Sequence, residues 1–130
     1  STSSVYESEA VGFEGDHFFN LVARIETDIA VGKLYQGLRK IEDAAGRDRS
    51  QARFSSRSLD IDILTYDNLH GTFDGIRLPR EEILHNAFVL QPLAELAPED
   101  IHPAKQLSYR QLWQSFDKNT QQLWVVPFEF

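Results

Sequence analysis

A chain of 130 residues, 42% of them hydrophobic, can bury one core without covalent staples, and the absence of cysteine excludes a disulfide framework and a thiolate metal site. No apolar run approaches the roughly 20 residues of a membrane-spanning helix and no signal peptide precedes the first strand pattern, so the expected location is cytoplasmic. The formal net charge of -7 argues against a general nucleic-acid binder, yet Arg39, Lys40, Arg47, Arg49, Arg53 and Arg57 crowd into one stretch, a local positive patch suited to a small polyanion.

Residues 3–8 read as a short strand and residues 9–16, with Gly12 and Gly15, as a loop. Residues 18–27 alternate as a longer strand, with Phe19, Leu21, Ala23 and Ile25 on one face and Phe18, Asn20, Val22 and Arg24 on the other. The second face sets an aromatic ring beside a carboxamide. That is either an edge aromatic with an exposed amide or a pocket for a flat heterocycle, stacked by Phe18 and read along its edge by Asn20. A helix is expected over 31–45, with Leu34, Leu38, Ile41 and Ala45 as its buried stripe and Gly46 just past its end. Arg39 and Glu42 lie off that stripe.

An arginine-rich loop over 47–56 then runs into an expected strand over 60–65. Asp60 and Asp62 are two apart, so on a strand they share a face, while Leu59, Ile61 and Ile63 take the other and anchor it in a core. Carboxylates that hold Mg²⁺ beside guanidinium groups that clamp phosphate oxygens are the equipment of phosphoryl transfer, where catalysis is mostly positioning and charge neutralisation. Downstream, a turn over 67–71 leads to a short hairpin over 73–78 and a short helix from Pro79 to His85. Asn86 is placed to cap a helix over 87–97 that Pro92 should bend. Residues 108–116 form a last helix burying Tyr109, Leu112, Trp113 and Phe116, and 122–128 a terminal strand. His17, His70, His85 and His102 are too scattered for a local zinc motif and read as surface residues. Neither a P-loop nor a Gly-x-Ser-x-Gly elbow occurs.

Arg57-Ser58-Leu59-Asp60-Ile61-Asp62-Ile63-Leu64, preceded by Gly46-Arg47-Asp48-Arg49 and followed by Leu78-Pro79 and by Ala87-Phe88-Val89-Leu90-Gln91-Pro92-Leu93, resembles 6-hydroxymethyl-7,8-dihydropterin pyrophosphokinase of folate biosynthesis. The agreement in order and spacing runs from Ser3 to about Phe116. It implies a ferredoxin-like α+β fold, an antiparallel sheet flanked by helices in a single domain. It also implies transfer of pyrophosphate from the co-substrate ATP to the pterin hydroxymethyl group, giving AMP.

On that resemblance Asp60 and Asp62 hold two Mg²⁺ ions, and Arg47 and Arg57 bind phosphate. Arg49 and Phe54 lie on a loop that closes over the nucleotide, with Arg39, Glu42, Ile63 and Arg80 as further ATP contacts. Phe18 and Phe88 sandwich the pterin, Asn20 hydrogen-bonds it, and Ser8, Val11 and Gly12 line its edge. Departures accompany the match. The family more usually has tryptophan where Phe54 stands, histidine at Arg80, an arginine near Asn86, and two prolines at Glu9-Ala10. The resemblance also places the family's second strand at the start of this sequence. The sheet edge left open is then filled by a segment outside it, by another chain in an oligomer, or by the strand over 122–128. A non-catalytic relative that keeps the cleft as a binding or assembly module is the alternative reading.

Overall fold

The computed structural model describes residues 1–8, 18–45, 59–118 and 121–127. Its elements in chain order are β1 (Val5–Ser8), β2 (Phe18–Asn20), α1 (Val31–Ala44), β3 (Gly71–Phe73), β4 (Ile76–Leu78), a 3₁₀ turn (Glu81–Leu84), α2 (Ala87–Leu96), α3 (Tyr109–Ser115) and β5 (Leu123–Val126). Antiparallel strands with helices make this an α+β fold, consistent with the ferredoxin-like expectation.

The main sheet has the order β2-β1-β5, both pairings antiparallel, so β1 is central and the terminal strand lies along its second edge. Tyr6 pairs with Asn20, but further along Thr2 bridges Ala23, so four residues on one strand match three on the other. The extra residue is a bulge, and there the Ser3 hydroxyl, not a ladder carbonyl, accepts the Val22 N–H at 2.9 Å. This is why the expected strand over 18–27 is a strand only over Phe18–Asn20. Its more apolar face, Phe19, Leu21 and Ile25, is exposed, and it is Val22 from the other face that packs against the core.

The core sits under α2 and α3, where Leu90, Leu93, Ala94, Ala97, Tyr109 and Ile83 are buried and Leu64, Leu112, Trp113 and Phe116 pack around them. Ser108 starts α3 with a reciprocal capping box, its hydroxyl accepting from Gln111 N–H while the Gln111 side chain accepts from Ser108 N–H. Asn86 occupies the N-cap position of α2, as expected, but its side chain makes no capping bond. The Ala87 N–H instead donates to the Gln121 side-chain oxygen at 2.7 Å, a cap borrowed from just before β5.

The apolar stripe expected to anchor α1 is not its buried side. Leu34 and Leu38 are only half-buried and Ile41 is 53% exposed, while Glu42 is buried. The N-terminus of α1 is capped from the hairpin. Asp74 and Gly75 take positive φ (52° and 82°) in the two-residue turn joining β3 to β4, and the Asp74 carboxylate accepts the Gly32 N–H at 3.1 Å. A Cβ on Gly32 would lie 2.8 Å from the Asp74 Cβ, so glycine permits this approach. Asp74→Ala is expected to cost about 1 kcal/mol, the usual worth of such a cap, read from the midpoint of urea unfolding.

His102, expected at the surface, is buried, and its Nδ1 accepts the N–H groups of Ala104 and Lys105, each at 3.1 Å. Burial, with lesser effects of Lys105 and His70, holds its pKa below the ordinary 6.5. The folded state therefore prefers the neutral ring. Its contribution to stability is complete above pH 6.5 and is lost as pH falls below that value toward the depressed folded pKa. Unfolding midpoints measured between pH 7.5 and pH 5 should fall in the parent chain and fall less in His102→Gln.

Candidate active site

The aspartate-bearing segment is not a strand. Residues 59–66 join neither sheet, Leu59 is exposed, and Ile61 and Ile63 are only half-buried, so the apolar face does not anchor it as expected. Two side chains of α1 do so instead. The Glu42 Oε2 accepts the Ile61 N–H at 2.6 Å and the Arg39 Nη2 donates to the Ile61 carbonyl at 2.8 Å. One residue thus receives an acceptor and a donor, the same pair a neighbouring strand would offer.

Arg39 and Glu42 are three apart on the helix, and their own ion pair, Nη1 to Oε1 at 2.9 Å, locks the two arms together. Arg39 also lies over the Tyr35 ring at 4.7 Å. On the downstream side the Arg80 N–H donates to the Leu64 carbonyl at 2.8 Å, and Leu64 packs on the core. Asp60 and Asp62 therefore flank a backbone position pinned from α1 and are themselves exposed.

Positive charge gathers at Asp62. Its Oδ1 is 3.6 Å from the Arg39 Nη2 and its Oδ2 is 3.7 Å from the Arg80 Nη2. Both arginines have closer partners, Arg39 in Glu42 and Arg80 in Glu82 at 2.6 Å. The Nε of each is buried without a hydrogen-bond partner. Glu42, expected beside the nucleotide, is 1% exposed, and its carboxylate accepts from Ile61 and pairs with Arg39.

A second group forms where β1, β2 and α2 meet. Ser8 on β1 pairs with Phe18 on β2, and Tyr6 pairs with Asn20. Phe18 is 54% exposed, Ser8 is buried, and the Asn20 Nδ2 is buried with no partner. Phe88 is half-buried in the first turn of α2, which packs against β1 and β2. An exposed ring beside an unsatisfied amide donor suits a flat heterocycle with acceptor edges. Arg47, Arg49, Phe54, Arg57, Val11 and Gly12 lie outside the described residues.

Against the sequence model of the family described as 7,8-dihydro-6-hydroxymethylpterin-pyrophosphokinase (HPPK), residues 1–98 match. The chain belongs to this family. It is 35% identical over 108 residues to the 2-amino-4-hydroxy-6-hydroxymethyldihydropteridine pyrophosphokinase of Haemophilus influenzae, a match spanning 82% of this chain and 67% of that protein. The protein of the same description from Aquifex aeolicus is 33% identical over 102 residues, 78% of this chain and 63% of its own length. A folate synthesis bifunctional protein of Arabidopsis thaliana is 34% identical over 120 residues, 91% of this chain and 24% of the relative. The chain thus spans about two thirds of the bacterial pyrophosphokinases and about a quarter of the plant protein.

The HPPK match covers β1 through α2, and so includes both aspartates, the α1 clamp and the aromatic and amide groups. Sequence reasoning missed the clamp itself and the borrowed caps, Asp74 and Gln121. Arg39-x-x-Glu42, an acid and a base on one helix face, was the available signal. Nothing local indicated that its target is the backbone of Ile61. Among the described residues no group of three or more His, Asp or Glu gathers as a ready-made metal cage. Two carboxylates with hard oxygen donors nevertheless suit Mg²⁺, which usually takes one or two protein carboxylates and completes its shell with water and substrate phosphates.

Proposed function

We propose that the chain transfers pyrophosphate from ATP to the hydroxymethyl group of 6-hydroxymethyl-7,8-dihydropterin, releasing AMP, as a step of folate synthesis in the cytoplasm. The observation that carries this reading is the pinning of Ile61 between Asp60 and Asp62 by Arg39 and Glu42, in a member of the HPPK family. A charge-bearing pair held to a helix by a donor and an acceptor is fixed as phosphoryl transfer requires.

In the proposed reaction the pterin hydroxyl oxygen attacks the β-phosphorus of ATP. The bond from that phosphorus to the oxygen bridging the α-phosphate breaks, AMP leaves with the bridging oxygen, and the hydroxyl proton passes to solvent. Asp60 and Asp62 would hold Mg²⁺, two ions on the family pattern, which supplies charge neutralisation at the phosphate oxygens. Arg80 brings a permanent positive charge beside Asp62, where the resemblance expects histidine, and offers phosphate a partly exposed guanidinium. Arg47, Arg49 and Arg57 are proposed to add phosphate contacts, with Phe54 and Ile63 against the nucleotide. Phe18 and Phe88 would stack the pterin, Asn20 would donate its free N–H to the ring, and Ser8, Val11 and Gly12 would border it.

The test is AMP formation from ATP and 6-hydroxymethyl-7,8-dihydropterin with Mg²⁺, followed by chromatography. Turnover dependent on all three supports the proposal. A folded sample that binds either substrate calorimetrically without producing AMP points instead to a binding or assembly module.

A further inference from the structure

Glu95 is the one acidic residue of α2, and its carboxylate is committed to β1 and the residue before it. It accepts the Ser4 N–H at 2.6 Å, the Ser4 hydroxyl at 3.1 Å, and the hydroxyl of Tyr6. Tyr6 is 4% exposed. Burial first, and then the neighbouring Glu95, push the Tyr6 phenol above its ordinary pKa, so it stays a donor. Burial alone would raise the Glu95 carboxyl, but the bonds from Tyr6 and Ser4 outweigh it and hold the pKa below the usual value.

Two periodicities carry this clamp to the pterin group. Along α2, Glu95 and Phe88 are seven apart, close to two full turns, so they share one face about 10 Å from each other along the axis. Across the sheet, Tyr6 is directly opposite Asn20 and Ser8 directly opposite Phe18, so all four lie on one face of the β1–β2 pair. The clamp therefore holds the same helix face that carries Phe88 and the same sheet face that carries Phe18 and Asn20, with Asn20 directly opposite Tyr6 of the clamp itself.

We infer that Glu95 is a positioning residue for the pterin, setting the separation of α2 from β1 and hence the width of the slot between Phe88 and the Phe18–Asn20 pair. It touches no substrate. Its three bonds tie α2 to the strand carrying Tyr6, directly opposite Asn20, and the buried, unpartnered Nδ2 of Asn20 is the donor whose reach that spacing decides. This rests on the pterin reading above.

The experiment measures KM for ATP and for 6-hydroxymethyl-7,8-dihydropterin, and the Kd of the dihydropterin by calorimetry, in the parent chain and in Glu95→Gln, Glu95→Leu and Tyr6→Phe. Gln keeps its amide oxygen as an acceptor for Ser4 and can donate its NH2 to the Tyr6 hydroxyl oxygen, and should stay within about twofold of the parent. Leu removes it and should weaken the dihydropterin about tenfold with the KM for ATP unchanged, and Tyr6→Phe should lie between. Should Glu95→Leu fail to fold, Tyr6→Phe against Glu95→Gln decides alone. Equal losses for both substrates, or a Gln variant as weak as the Leu or Phe variant, would overturn the inference while leaving the proposed reaction intact. A parent chain that neither binds the dihydropterin nor forms AMP would overturn the reaction and the inference with it.

Discussion

Asp62→Ala is expected to slow AMP formation by on the order of 10³-fold, comparable to removing a charge-stabilising group from other active sites, while leaving the fold standing. The two halves of that expectation come from different observations. Asp62 is exposed, and its contacts to Arg39 and Arg80 are long, at 3.6 and 3.7 Å. Each arginine keeps a shorter partner when the aspartate goes, Arg39 in Glu42 and Arg80 in Glu82. Ion pairs this open to solvent contribute less than about 1 kcal/mol, so the urea midpoint should barely move. Activity, by contrast, loses one of the two carboxylates proposed to hold the metal. Asp62→Asn keeps the shape without the charge and should be nearly as slow. A variant retaining more than a tenth of the parental turnover would refute the assignment of Asp62.

The second large effect is expected at Glu42, and it should appear in stability as well as in rate. Glu42→Ala strands the Ile61 N–H and removes the buried partner of the Arg39 guanidinium. Breaking a buried pair costs about 3–5 kcal/mol in other proteins. Arg39 is 27% exposed at its side chain, so solvent relieves part of the charge and the expected loss is about 2–3 kcal/mol by urea unfolding. Turnover at a temperature where the variant is still folded should drop at least tenfold, because the backbone between the two aspartates is no longer held. Glu42→Gln can still accept from Ile61 and should recover most of the rate but not all of the stability. If Glu42→Ala proved as stable as the parent and fully active, the clamp would have no function.

How much could be read from the linear chain differs element by element. The helices 31–44, 87–96 and 109–115 announced themselves by apolar spacing, and the second also by Asn86 at its start, because helical order is settled within a few residues. The hairpin expected over 73–78 is present as β3 and β4, and the structure places its two-residue turn at Asp74-Gly75. The 60–65 strand was misread because alternation shows only that a segment could be extended. Whether it joins a sheet depends on a neighbour, and here the neighbour is a pair of side chains on α1. Likewise the strand expected over 18–27 stops at Asn20 because of a bulge set by Ser3 on the neighbouring segment.

What the order of residues determined by itself was the chemistry available. Asp-x-Asp after an arginine-rich run, and an aromatic two residues before an asparagine, lie close together in the chain and need no folding to be recognised. What only the tertiary structure decided was how those groups are held: Ile61 by Arg39 and Glu42, the start of α1 by Asp74, and α2 against β1 by Glu95. Each of these joins residues 19 to 91 positions apart. Hydrogen bonds and ion pairs act over about 3 Å of space whatever the separation along the chain, so such partners are chosen only when packing brings them together.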